Sequence, residues 1–124
     1  MPVKLSDIRK VALALPDTTE EPHHHFGSFR VKGKIFVTIP PGEELLHIFL
    51  PDEIRELALA ADPQFLEPVY WGTKILGVRV HLLKAKKSTV LHLVKQAYEH
   101  KSAQVSSRKR TSSDKRSRAR PGTT

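Results

Sequence analysis

The chain has no cysteine. That excludes disulfide frameworks, thiolate metal centres and cysteine nucleophiles, and it suits a reducing compartment. No apolar run approaches the roughly 20 residues that span a bilayer, and Met1 to Ser6 has none of the apolar core of a secretory signal. A cytoplasmic protein with no membrane partner is therefore the expectation. Aromatic residues are sparse at 6%, with one tryptophan. Gly-x-Ser-x-Gly, His-Glu-x-x-His and the P-loop are all missing, so neither an enzyme nor a bound cofactor is expected.

Acidic residues are lacking at one end only. The formal net charge is +8. Residues 1–101 hold 14 Lys and Arg against 12 Asp and Glu, whereas residues 102–124 hold 7 against 1. The basicity thus belongs mainly to the C-terminal segment, and the remainder is near neutral.

What is present reads as one small α+β domain, residues 1–101, followed by a basic tail, residues 102–124. Ser6 suits an N-cap, and Ile8, Val11, Ala12 and Leu15 recur at helical spacing until Pro16 pushes its predecessor out of the helical region. Asp17 to Pro22 reads as an acidic connection leading to His23, His24 and His25. From Phe26 to Ile39, Phe29, Val31, Ile35, Val37 and Ile39 alternate with polar neighbours about Lys32-Gly33, which predicts a hairpin with a tight turn. After Pro40-Pro41-Gly42, Leu45 to Leu50 supplies a third strand. Its face of Leu46, Ile48 and Leu50 lies opposite Leu45, His47 and Phe49.

Pro51, Asp52 and Glu53 then open a second helix with Ile54, Leu57, Ala58 and Ala61 on its apolar face. Gln64 to Pro68 reads as a loop that tucks in Phe65 and Leu66. Val69 to Trp71 and Ile75 to Leu82 form a second hairpin, in which Val78, Val80 and Leu82 alternate with Arg79 and His81. Val90, Leu91, Val94, Ala97 and Tyr98 define the last helix face. The expected order is α-β-β-β-α-β-β-α, an antiparallel sheet with flanking helices. From Ser102 onward Val105 is the only large aliphatic residue, so the segment cannot by itself offset the entropy of ordering.

Several segments in this order resemble the MmcQ/YjbR family across roughly residues 5–100. They are Asp7 to Pro16, Glu20-Glu21-Pro22-His23-His24, Ser28 to Phe36, Trp71-Gly72, and Gly77-Val78-Arg79-Val80. The resemblance implies a frataxin-like α+β domain described as a double wing, and a DNA-binding assignment. The chain departs from the pattern where Phe26-Gly27 runs directly into Ser28. It departs again where Gly77 is followed by Val78 rather than Trp, which leaves the second wing fewer aromatic groups for stacking on bases.

Phosphate contact requires cations displayed on one surface. The candidates are Arg30, Lys32, Lys34, Lys74 and Arg79 on the wings, and Arg108, Lys109, Arg110, Lys115 and Arg116 in the tail. The expected partner is DNA, bound by a monomer with weak sequence preference. The alternative is a protein-interaction or regulatory module, in which the wing charges only keep the sheet soluble. Alternate pointing of His23 and His25 against His24 leaves two ligands on a face, too few for a zinc site. A first helix with Asp7 beside Arg9 and Lys10 is also not an acidic iron-binding surface, so no metal is expected. An isolated peptide of residues 102–124 should give a coil-like far-UV circular dichroism spectrum in buffer; strong helical minima there would overturn the reading of the tail.

Overall fold

The computed structural model describes residues 3–42 and 44–118; for Trp71 and residues 105–118 it describes the backbone alone. In chain order the elements are α1 (Leu5–Ala14), β1 (Thr18–His23), β2 (Phe26–Val31), β3 (Lys34–Ile39), β4 (Leu45–Phe49), α2 (Asp52–Ala61), β5 (Leu66–Trp71), β6 (Lys74–His81) and α3 (Lys87–Arg118). The expected sequence of elements is present, with one strand added. The acidic connection after α1 is β1, which pairs antiparallel along β2 from Thr18↔Val31 to His23↔Phe26. Its side chains alternate without an apolar face, because an edge strand is held by its backbone ladder on one side and leaves little to bury. Periodicity therefore gave no signal for it.

The six strands form one antiparallel sheet in the order β1-β2-β3-β4-β6-β5. Pro22 and Pro68 both sit in edge strands, where a missing N–H is tolerated. Pro68 also shows why the loop expected at 64–68 is in part strand: β5 begins at Leu66. One face of the sheet is covered by all three helices. Phe29, Val37, Ile48 and Val78 are aligned across it by the pairing register and are fully buried. They pack in a single core with Ile8 and Ala12 of α1 and Val90, Leu93, Val94 and Ala97 of α3. Burying such side chains contributes about 1.5–3 kcal/mol each.

Three local details depart from the expected pattern. Helix α1 begins at Leu5, with its cap at Lys4, two residues before the expected cap Ser6, because the Asp7 carboxylate accepts the Lys4 N–H at 3.0 Å. That bond, with Lys87 nearby, holds the Asp7 carboxyl below its ordinary value. Second, the register slips between Phe29 and Arg30, so Phe36 is an extra residue in β3. The bulge turns Phe36 into the core, fully buried, and leaves Ile35 half-buried, where simple alternation would have Ile35 inside and Phe36 out. Third, Leu57 is 67% exposed although its spacing matches the apolar face of α2.

Arg55 explains the orientation of α2. It is 8% exposed, and its Nη1 donates to the Ile75 carbonyl at 2.8 Å and to Asp52 Oδ1 at 2.9 Å, while Glu56 lies beside its Nη2 at 3.0 Å. Turning this face inward carries Leu57 outward. The last helix has no break at the boundary expected after residue 101: α3 continues to Arg118. Once its packed turns are nucleated, Lys, Arg, Ser and Gln propagate a helix at little cost, and no Gly or Pro occurs before Pro121. Residues 119–124, the end of the expected tail, lie outside the described residues.

Gly77 is required by close approach rather than by φ. A Cβ built there would lie 2.0 Å from the Ile48 carbonyl oxygen and 2.9 Å from Phe49 Cα. Gly77→Ala must therefore push β6 from β4, and should lower unfolding free energy by about 3 kcal/mol or more, the upper end of overpacking effects. Chemical denaturation of the parent chain and of Gly77→Ala checks this.

Candidate nucleic-acid interface

Two hairpin tips define the site. At the first, Lys32 and Gly33 take φ of 51° and 84°, the paired positive values of a two-residue turn that matches strand twist. The Lys32 N–H donates to the Asp17 carbonyl at 3.3 Å, which braces this tip against the start of β1. At the second, Gly72 has φ of 64° and Lys74 follows as the first residue of β6. Because Val37 pairs with Ile48 and Ile48 with Val78, both turns leave the same end of the sheet. The mid-lines of the two hairpins are three strand intervals apart, roughly 14 Å at about 4.8 Å per interval.

Of the sequence candidates, Lys32 and Lys34 at the first tip and Lys74 at the second lie at this end. Lys32 and Lys74 are exposed and Lys34 is half-buried. Asp52 at the same end is engaged by Arg55, while Glu53 is exposed beside it. Helix α3 also runs towards this end. The Lys87 ammonium lies 3.5 Å from Asp7 at the far end, and the Tyr98 hydroxyl donates to the Pro16 carbonyl at 3.0 Å beside the tips. The backbone positions of Arg108, Lys109, Arg110, Lys115 and Arg116 follow on the same helix, and their side chains lie outside the described residues.

Arg30 and Arg79 are not brought to the tips. Arg30 lies flat on the sheet face that the helices leave open, with Nε donating to Ser28 Oγ and Nη2 to the Pro22 carbonyl, each at 3.2 Å. Ser28 in turn donates to the Glu21 carbonyl at 2.7 Å, so this cation stitches β1 to β2. Arg79 stands in the middle of the open face. Register aligns Ser28, Thr38, His47, Arg79 and Glu67 in one row across five strands. Within it the Arg79 Nε donates to His47 Nε2 at 3.1 Å, and Nη1 is 4.0 Å from Glu67 Oε1. Glu67 also pairs with His81.

This row was hidden in the sequence, since its members are at least nine positions apart and meet only through pairing. His47 stood out as a polar residue between Leu46 and Ile48, a hint without a partner. Burial first, and then the Arg79 charge, lower its pKa from the ordinary imidazole value. Its ring also faces Phe26, with centroids 6.1 Å apart. Among the described residues no group of three or more His, Cys, Asp or Glu side chains is placed to hold a metal ion. The His23 and His24 rings lie 4.7 Å apart at the β1–β2 turn. No helix among the described residues is long and apolar enough to cross a membrane.

A three-helix layer on one face of a six-stranded antiparallel sheet, with both internal hairpins turning at one end, defines the class of domain. The YjbR family model matches residues 13–100, and the chain belongs to that family. Among solved structures it is similar to the Deinococcus radiodurans protein DR2400, described as a DUF419 domain. The match has 23% identity and a TM-score of 0.65, covering 77% of this chain and 75% of that one. At that identity the likeness concerns the fold. A search of the curated proteins returned no match.

The His47 pKa has a measurable consequence. A folded value below the unfolded one means that the unfolded chain binds more protons as pH falls below about 6.5. The stabilisation is complete above the unfolded value and is lost as pH falls towards the folded one. His47→Gln keeps an acceptor for Arg79 but removes the titration. Its denaturation midpoint should therefore change less between pH 7.5 and 5.5 than that of the parent chain; equal changes would overturn the assignment.

Proposed function

We propose that the chain is a non-enzymatic DNA-binding protein of the cytoplasm, contacting backbone phosphates with little base readout. The observation that carries this reading is convergence. The Lys32-Gly33 tip, the Lys74 tip and the continuation of α3 lie at one end of the molecule. Their separation of roughly 14 Å is close to the roughly 12 Å width of a major groove. The two turns would act as wings on either side of a groove, and the basic positions after Lys101 would add sequence-independent affinity by counterion release.

A second reading rests on a different surface. Between α2 and α3 is an open groove of about 260 Å³ lined by Ile54, Leu57, Ala58, Leu93 and His92. With Leu57 two-thirds exposed at its rim, this groove favours a protein-interaction or regulatory module.

Duplex binding across a salt series separates the two. With four to six phosphates neutralised, the full chain should give a log–log slope of about −4 to −5. A chain ending at Gln104 should retain binding with a slope of about −2 to −3, and Lys32→Glu combined with Lys34→Glu should abolish that remainder. No binding by the shortened chain at low salt would remove the wings from the reading, and no binding by the full chain would remove DNA.

A further inference from the structure

One cation at the tips was not among the candidates: Lys101. Its position follows from a contact one turn earlier. Tyr98 meets Phe36 edge-on, with centroids 5.8 Å apart and planes at 77°. Lys101 is three residues beyond Tyr98, on the same helix face and nearer the tips. Lys34 is two residues before Phe36 in β3, and is likewise nearer the tips. The aromatic contact therefore sets Lys101 over Lys34.

Both lysines are half-buried. Burial and the adjacent Lys34 charge lower the pKa of Lys101. Among the described residues neither ammonium has an acidic partner. Of the described acids on the neighbouring segments, Asp17 forms no ion pair, Asp52 is held by Arg55, and the exposed Glu53 and Glu99 pair with neither lysine. Lys32, two residues before Lys34, adds a third positive charge to the tip, while burial and then the Lys101 charge lower the His100 pKa. Two partly desolvated like charges without a counter-charge are unfavourable unless an anion is shared between them.

We propose that Lys34 and Lys101 form a two-lysine oxyanion site that takes a phosphate group. Taking that phosphate from a DNA backbone rests on the reading given above; the site itself does not. A phosphoryl oxygen between the two ammonium groups would accept a charge-assisted hydrogen bond from each, and would lock the start of β3 to α3. The site would hold the first wing and the basic continuation of α3 at one fixed phosphate.

The test uses the full chain with 13C-labelled lysine, sodium pyrophosphate and a short duplex. By NMR, the Lys101 side chain should titrate below the ordinary lysine range. Pyrophosphate should raise its midpoint, and Lys34→Gln should raise it without pyrophosphate and remove the response. A Lys101 midpoint indifferent to pyrophosphate would overturn the site. In the duplex arm, Lys101→Gln should reduce the log–log salt slope by about 1. A parent chain that binds duplex with a slope unchanged in Lys101→Gln would overturn the assignment to backbone phosphate. If the parent chain does not bind duplex but pyrophosphate raises the Lys101 midpoint, the oxyanion site is supported and its phosphate comes from a free anion.

Discussion

The edge-on contact of Phe36 with Tyr98 fixes the placement of α3, and the tip end of the molecule depends on it. Phe36 reaches the core only because β3 carries a bulge opposite Phe29 and Arg30. Tyr98 presents its ring to Phe36 and its hydroxyl to the Pro16 carbonyl, using both its apolar body and its polar end. Together these contacts set how far α3 has advanced along β3 when its packed turns are complete. They bring Lys101 beside Lys34 and send the remaining basic residues out past the hairpin tips.

The two faces of the sheet divide the labour. The face under the helices takes Phe29, Val31, Val37, Leu46, Ile48, Val78 and Val80, and supplies the cohesion of the domain. The open face holds Ser28 and Thr38 at almost no exposure, together with the chain of contacts from His47 through Arg79 to Glu67 and His81. Half-buried polar groups are tolerated there because they satisfy one another, so Arg79 belongs to the architecture of the sheet more than to its wings.

Strand alternation in β2, β4 and β6 could be read directly, because Phe29, Leu46, Ile48, Val78 and Val80 each face one continuous core. The same logic failed at Ile35 and Phe36, where an added residue shifted the phase. It failed for β1, which has no face to bury. It failed for Leu57, because inward rotation of α2 is governed by the hydrogen bond from Arg55 to the Ile75 carbonyl, twenty positions away. The candidate site was partly legible: Lys32, Lys34 and Lys74 were marked by their turns, whereas Lys101 carried no local signal.

By itself the sequence determined the types of all the elements but β1, the positions of the tight turns, the apolar residues of most strands and the concentration of charge towards one end. These follow from spacing of two or 3.6 residues, from the φ demanded at Gly33 and Gly72, and from counting charges, all of which are local. Only the tertiary structure decided that the two hairpins turn at the same end, that Arg79 and His47 meet, and that Lys101 comes near Lys34. Those facts depend on strand order and on the register of a helix over a sheet, and residues as far apart as Lys34 and Lys101 meet only once the chain has folded.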